Sequence, residues 1–275
     1  MTLEQLEGAA YGPVTVRLTA DRIAAYVAAT TDDADRWVTH APPSIAGALL
    51  FAVAPDFLWS EDVGSLSTVL VHTDQSFQWH GPLPVDAEVA VAAAVSRVRV
   101  RGPINFVTFE ATMATNGRTV VDSTSNFLMG ADVAGDPPAE SEEPPVRLCG
   151  IVERPRIGST DRLAKSASRV DLVRYAAASG DFNPVHYDHD AARAAGLPGV
   201  VVHGLLTMAW ASQIAASASP RSDPLVEMRA RFRAALLPGA QAVVEGARAE
   251  DGHLAVSVGA GDARAVVCRV VTRDG

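Results

Sequence analysis

One order of segments occurs twice in this chain, and the repetition limits its possible folds more than any other feature. In each half a helical stretch precedes four strand-like runs bounded by Gly, Pro or Asn. The strand-like runs cover 66–79, 87–100, 104–115 and 118–129 in the first half and 225–236, 240–250, 253–260 and 263–272 in the second. The pattern predicts two copies of an antiparallel α+β unit, each a meander that follows its helix.

The helical stretches of the two halves are apolar nearly all round. They read SIAGALLFAVAPDF from Ser44 and LLTMAWASQIAASA from Leu205. A helix with this composition must be buried on most sides, and a curved sheet wrapped round it meets that requirement. Because each unit alone would expose its sheet edges, we expect the two sheets to join into one continuous sheet.

A stretch rich in Pro and acidic residues separates the halves at 131–145, where the sequence reads ADVAGDPPAESEEPP. Such a stretch cannot bury enough apolar surface to offset the entropy lost on ordering. It is predicted to link an N-terminal domain, 1–130, to a C-terminal domain, 146–275.

Charge and composition exclude several functional classes. The net charge of -9 and the lack of a basic run argue against nucleic acid as a partner. No apolar run is long enough for a membrane span, and acidic residues stand near the start, which favours a cytoplasmic protein. Cys149 and Cys268 lack the spacing of a zinc or redox pair, and are expected to be reduced core thiols.

Residues 175–188 combine acid–base side chains with signals that end a helix. The sequence is YAAASGDFNPVHYD, and LPGVVVHG follows at 197–204. A helix over 170–179 should end at Gly180, and Asn183 before Pro184 prevents its continuation. Asp181 and His186 are therefore expected on a loop, where a carboxyl and an imidazole can act as an acid–base pair.

This ordered set resembles the MaoC-like, or (R)-specific enoyl-thioester hydratase, family of hot-dog proteins, whose signature is Gly-Asp-x-Asn-Pro-x-His followed by Pro-Gly and His-Gly. The resemblance implies an α+β double hot-dog fold. It also implies interconversion of (3R)-3-hydroxyacyl and trans-2-enoyl thioesters of CoA or acyl carrier protein, without a cofactor or metal. In that reaction Asp181 and His186 would hold the water or hydroxyl and move the proton, and Asn183 would fix the loop and His186.

The resemblance also assigns roles around the second helical stretch. The Gly204 N–H would stabilise charge on the thioester oxygen, because the first N–H groups of a helix lack partners. Ser212 matches a family serine near the catalytic aspartate, and Val202 and His203 are expected beside the substrate. For His203 a structural hydrogen bond is the alternative. The run HYDHD at 186–190 is not expected to bind metal, because neighbours in a loop rarely converge on one ion.

The first half departs from the signature. At an offset of 149 residues, 21–32 align without gaps with 170–181, so Asp32 matches Asp181. Beyond that point Asn183 meets Ala34 and His186 meets Trp37. We therefore expect one active site per chain, with the first half as scaffold and pocket wall, in a monomeric pseudo-dimer or a homodimer.

Two other functions remain open, a hot-dog thioesterase and a non-catalytic acyl-thioester-binding subunit. Such thioesterases typically carry an acidic residue on or near the central helix, and 204–217 has none. The acyl group is undetermined, and so is the carrier. Side chains that could meet CoA phosphates are Arg99, Arg101, Arg229 and Arg231, and those expected in the core are Phe77, Trp79, Phe106, Met208 and Trp210.

Overall fold

A computed structural model describes residues 2–67, 69–130, 139–140, 150–158 and 161–273. Apart from 139–140, the predicted linker lies outside the described residues, and so does Cys149. The proposed domain boundaries therefore remain predictions.

In each half the four long strands follow the central helical stretch, as the sequence predicts. The first half contains β1 Ala10–Arg17, α1 Ala20–Ala29, α2 Ile45–Leu50, α3 Ala54–Leu58, α4 Glu61–Leu66, β2 Val69–Trp79, β3 Glu88–Arg101, β4 Ile104–Thr115 and β5 Arg118–Gly130. The second half contains β6 Arg162–Lys165, α5 Arg169–Ser179, α6 His189–Ala194, α7 Gly204–Ser217, β7 Leu225–Phe232, β8 Ala242–Arg248, β9 Leu254–Ala260 and β10 Ala263–Thr272.

All these strands belong to one antiparallel sheet, in the order β1-β3-β4-β5-β2-β7-β10-β9-β8-β6. The two halves join where β2 pairs with β7, which confirms the predicted continuous sheet. The prediction of simple meanders is wrong, because β2 lies beside β5 rather than β3, and β7 lies beside β10. The edge strands β1 and β6 were not predicted, since β1 contains Gly12-Pro13 and β6 has only four residues.

The central helices of the two halves differ. In α7 every residue from Leu205 to Ser217 is buried, as its composition predicts. The matching stretch of the first half was predicted as one helix, and it is instead divided into α2 and α3 by a break at 51–53. Pro55 accounts for the break, because it lacks an N–H donor and its ring would clash with the carbonyl of residue 51 in a continuous helix.

The predicted core is confirmed with one exception. Phe77, Trp79, Met208 and Trp210 are buried, and so is Cys268. The prediction for Phe106 is wrong, because this side chain is 42% exposed on the outer face of the sheet. It alternates along β4 with the buried Val107 and Phe109, as neighbouring strand residues must. Among the described residues, no helix has the length and apolar character needed to cross a membrane.

Candidate active site

A cavity of about 310 Å³ lies between the two halves. Its walls are largely apolar and come from α2, α3, β2 and β5 of the first half, and from α7 and the segments 181–186 and 232–236 of the second. Asp181, Asn183, His186, Val202 and Gly204 all line it. The structure therefore brings these five predicted site residues together, and the first half forms part of the wall, as the sequence predicts.

Asp181 follows directly after the end of α5. The helix ends at Gly180, whose φ of 83° lies in the left-handed region that favours glycine. The Asp181 carboxyl is 7% exposed, and its Oδ1 accepts a hydrogen bond from the Asn183 N–H at 3.4 Å. Burial raises the pKa of Asp181 to about 7, and the hydrogen bond from Asn183 opposes this rise. Near neutral pH this carboxyl can therefore both give and take a proton.

Asn183 shapes the turn that carries His186. Its Oδ1 accepts from the Val185 N–H at 3.3 Å and caps a short 3-10 helix, Pro184–His186. Its backbone oxygen accepts from the His186 N–H at 3.1 Å. These contacts agree with the predicted loop-fixing role, and they act through the backbone rather than on the imidazole.

The imidazole of His186 is held in one orientation by the backbone. Its Nδ1 lies 2.9 Å from the carbonyl oxygen of Val201, an acceptor, so we assign the ring proton to Nδ1. Nε2 is then the basic nitrogen. Burial lowers the pKa of His186 to about 4, and the hydrogen bond to Val201 opposes the shift. The ring is therefore neutral near pH 7 and can accept a proton.

His203 lies behind this pair and is not among the residues that line the cavity. Its ring stacks on His186 with centroids 3.7 Å apart, and its Nε2 lies 3.2 Å from the backbone oxygen of Asp181. His203 is fully buried. This position fits the structural alternative for His203 better than substrate contact.

Asp181, His186 and His203 could be considered as metal ligands, because their ligand atoms lie within 4.8 Å of one another. The lone pair of an imidazole nitrogen lies in the plane of its ring. The two rings are stacked with only 26° between their planes and their centroids 3.7 Å apart, so their lone pairs lie in separate, nearly parallel planes rather than meeting at one point. The geometry therefore favours a proton-transfer pair over a metal centre.

Gly204 presents an unused N–H to the same cavity. It is the first residue of α7, and among the described residues its N–H has no acceptor. The positive end of the helix dipole adds to the field at this donor. A Cβ at Gly204 would lie only 3.1 Å from Cε1 of Phe232, so an alanine here would force a shift of a few tenths of an ångström. The N–H can therefore face a bound oxygen.

Ser212 lies away from the cavity. Its hydroxyl donates to the Ala209 carbonyl oxygen at 2.8 Å, and the residue borders a separate, much smaller cavity beside Ser44 and Trp79. The structure does not bring Ser212 together with Asp181 there. Val202 lines the main cavity, and its N–H is used in a hydrogen bond to the Leu236 oxygen at 2.8 Å.

Sequence reasoning missed several cavity residues, among them Phe51, Trp59, His72 and Phe232. His72 lies between the rings of Phe127 and Phe232, with centroid distances of 4.8 and 4.9 Å. Burial lowers the pKa of His72 to about 4. Strand alternation alone could not assign its face, because a bulge between His72 and Asp74 shifts the pattern.

Comparisons with known proteins agree with the arrangement of the two halves. Residues 151–265 match the family described as "MaoC like domain", and residues 5–123 match "FAS1-like, dehydratase domain region". The "Probable enoyl-CoA hydratase 2" of Dictyostelium discoideum is 23% identical over 177 residues, which cover 62% of this chain and 58% of that protein. The match therefore spans less than two thirds of the Dictyostelium protein.

A second relative and a solved structure match larger shares. The "3-hydroxyacyl-thioester dehydratase X" of Mycobacterium tuberculosis is 24% identical over 219 residues, or 78% of this chain and 72% of that protein. A solved "MaoC-like dehydratase" superposes with a TM-score of 0.75 at 21% identity and covers 98% of this chain and 99% of the other. Solved structures that match the chain also include a double hot-dog protein, so the predicted fold is confirmed.

Proposed function

We propose that this chain interconverts (3R)-3-hydroxyacyl and trans-2-enoyl thioesters by removing or adding water, since residues 151–265 match the MaoC-like domain and residues 5–123 match a dehydratase region. The observation that carries the proposal is the meeting of three groups in one cavity. These are the Asp181 carboxyl, the His186 imidazole and the free N–H of Gly204. The (3R) configuration follows from the family resemblance.

In the proposed reaction Asp181 and His186 move the protons. Dehydration removes a proton from the α-carbon and breaks the bond between the β-carbon and its hydroxyl, which leaves as water after gaining a proton. One member of the pair accepts the α-proton, and the other protonates the leaving hydroxyl. The pKa of about 7 for Asp181 and about 4 for His186 support this, since the pair then keeps one proton to pass between them.

The Gly204 N–H is proposed to make the α-proton removable. As that proton leaves, negative charge develops on the thioester oxygen, and a fixed N–H at a helix start stabilises the charge without reorganisation. The apolar wall excludes bulk water, which strengthens this interaction. Asn183 is a positioning residue in this scheme, while Val202 contributes to the wall beside the thioester.

The same proposal includes the partner and the setting. The substrate is an acyl thioester of CoA or of an acyl carrier protein, and each chain holds one working site. We propose a cytoplasmic enzyme that acts as a monomeric pseudo-dimer or as a homodimer.

The proposal is tested with trans-2-enoyl-CoA esters of increasing chain length. Wild-type protein should remove the absorbance of the conjugated enoyl thioester with at least one ester. Release of free thiol, measured in parallel, should stay at background. Thiol release without hydration would identify a thioesterase instead. If neither hydration nor thiol release occurs with CoA esters or carrier-protein esters, only the binding-subunit alternative remains.

A further inference from the structure

Three arginines on β3 form an unpaired basic stripe in an acidic protein. Arg97, Arg99 and Arg101 alternate along the strand, so their side chains share the outer face of the sheet. All three are exposed, and no acidic side chain among the described residues lies within ion-pair distance of them. Net charge does not explain this local concentration, because the chain carries -9 overall.

Other arginines on the outer face show how unusual the stripe is. Arg231 pairs with Asp74 at 3.0 Å, and Arg229 pairs with Glu227. The sequence alone makes Arg229 and Arg231 as good candidates as Arg99 and Arg101 for contact with CoA phosphates. Their charges are already compensated, whereas the guanidinium groups of the β3 stripe remain available to an anion.

The stripe borders a surface cleft of about 450 Å³ that also contains an aromatic ring. Phe106 stands directly opposite Arg99 in the ladder between β3 and β4, and it is 42% exposed. An exposed aromatic face beside several guanidinium groups suits a nucleotide, whose base can stack while its phosphates accept charge-assisted hydrogen bonds. The cleft thus has both parts of a nucleotide site.

The cleft is connected to the catalytic cavity by a row of cross-strand partners. Arg99 pairs with Phe106, Phe106 with Leu128, and Leu128 with Val71, which lines the catalytic cavity. Neighbouring strands are about 4.8 Å apart, so Arg99 lies roughly 14 Å from Val71 across the sheet. An extended pantetheine arm can bridge such a distance between a thioester and a nucleotide.

We propose that the β3 stripe and Phe106 bind the phosphorylated adenosine end of coenzyme A, which makes the enzyme selective for CoA thioesters. This inference rests on the proposed function. A carrier protein presents one phosphate on its prosthetic arm, whereas CoA adds an adenine and further phosphates. The concave, aromatic cleft fits those extra groups.

The test compares two thioesters of the same enoyl group, one with CoA and one with pantetheine, which lacks the nucleotide. In Arg97→Gln/Arg99→Gln, KM for the CoA ester should rise about tenfold with kcat unchanged, because charge-assisted contacts to phosphate are lost. Neither constant should change for the pantetheine ester. The matched control is Arg17→Gln/Arg118→Gln, which removes the same charge from β1 and β5, at the end of the strands opposite to the stripe, and should leave KM near the wild-type value.

A binding measurement separates this inference from the proposed function. Adenosine 3′,5′-bisphosphate should bind the wild-type protein in calorimetry and bind the stripe variant about tenfold more weakly, whether or not the protein is active. Equal KM increases for both esters, or an equal effect in the control variant, would overturn the inference. Preference of the wild type for an enoyl carrier protein, lost in the stripe variant, would overturn it as well and assign the stripe to that protein.

Discussion

Two aspartates at matched positions in the duplicated frame have opposite surroundings. Asp32 follows α1 and Asp181 follows α5, and both are buried, with 3% and 7% of their surface exposed. The helices that precede them contact each other through Tyr26 and Tyr175, whose ring centroids are 6.2 Å apart. Since burial is common to both carboxyls, the difference in function must come from what faces each of them.

Positive and bulky side chains enclose Asp32. Lys165, which comes from β6 of the other half, is fully buried, and its Nζ donates to the backbone oxygen and hydroxyl of Thr31, both at 3.0 Å. Burial raises the pKa of Asp32, while the Asp33 N–H and the charges of Lys165 and Arg36 oppose the rise. Trp37 is buried at the position where the second half has His186.

Asp181 faces a cavity and a neutral imidazole instead. Burial raises its pKa to about 7, with no charged side chain among the described neighbours to offset it. In the proposed scheme Asp32 is therefore structural and Asp181 transfers protons, because charged side chains partly offset the burial of Asp32 and none offset that of Asp181. Burial alone does not make an aspartate catalytic.

The largest expected effect is the difference in activity between the two aspartates. Asp181→Asn and His186→Ala should each lower kcat about a thousandfold or more, since each removes a proton carrier. Asp32→Asn should change kcat by no more than about threefold, because its carboxyl lies outside the cavity that carries the chemistry. Steady-state hydration of an enoyl thioester measures all three.

Folding must be matched in that comparison. Circular dichroism at the assay temperature shows whether each variant is folded, and only folded variants are compared. Near-normal turnover in Asp181→Asn or His186→Ala would show that the proton transfers occur elsewhere.

Stability should rise at both positions, but by different amounts. The pKa of Asp181 is raised from 3.8 to about 7, so its contribution to stability is complete below pH 3.8 and is lost as pH rises through 7. At pH 8 Asp181→Asn should therefore raise the free energy of unfolding by as much as about 4 kcal/mol. Asp32→Asn should raise it less, because the charges of Lys165 and Arg36 already offset part of the cost of burying this carboxylate.

Urea unfolding of both variants at pH 5 and pH 8 tests these two predictions. The gain from Asp181→Asn should shrink at pH 5, where the wild-type carboxyl is already protonated in the folded protein. A gain of equal size at both pH values would mean that Asp181 is not held at a raised pKa.

Gly204→Ala should lower kcat about ten- to a hundredfold with a smaller effect on KM. The added methyl group would lie 3.1 Å from the Phe232 ring, and we expect part of the strain to move the start of α7 and its N–H. Adding Phe232→Leu should restore part of kcat by making room for the methyl group. If the second substitution restored nothing, steric displacement by Phe232 would not be the cause.

The sequence predicts the parts of this molecule that depend on local signals. Gly180 and the Asn183-Pro184 step identified the loop, and alternating apolar residues identified the long strands. Residues that depend on tertiary contacts were missed or misassigned. The face of His72 depends on the bulge between His72 and Asp74, and Phe106 points outward from an otherwise apolar strand. Ser212 borders a separate small cavity, so its role near Asp181 stays a prediction. The break before Pro55 also changes which first-half residues reach the cavity.

The smallest expected effect comes from restoring the missing histidine in the first half. Trp37→His should leave kcat within about twofold of the wild-type value, because an imidazole there would meet an aspartate already compensated by Lys165 and Arg36. It would also create space where the buried indole packs, which should lower the melting temperature. The substitution is best tested in Asp181→Asn protein, in which the site of the second half is expected to be inactive. Hydration that reappears in Asp181→Asn/Trp37→His would show that the first half needs only an imidazole to work. Its absence would show that loss of the histidine is not the only feature that keeps this half inactive.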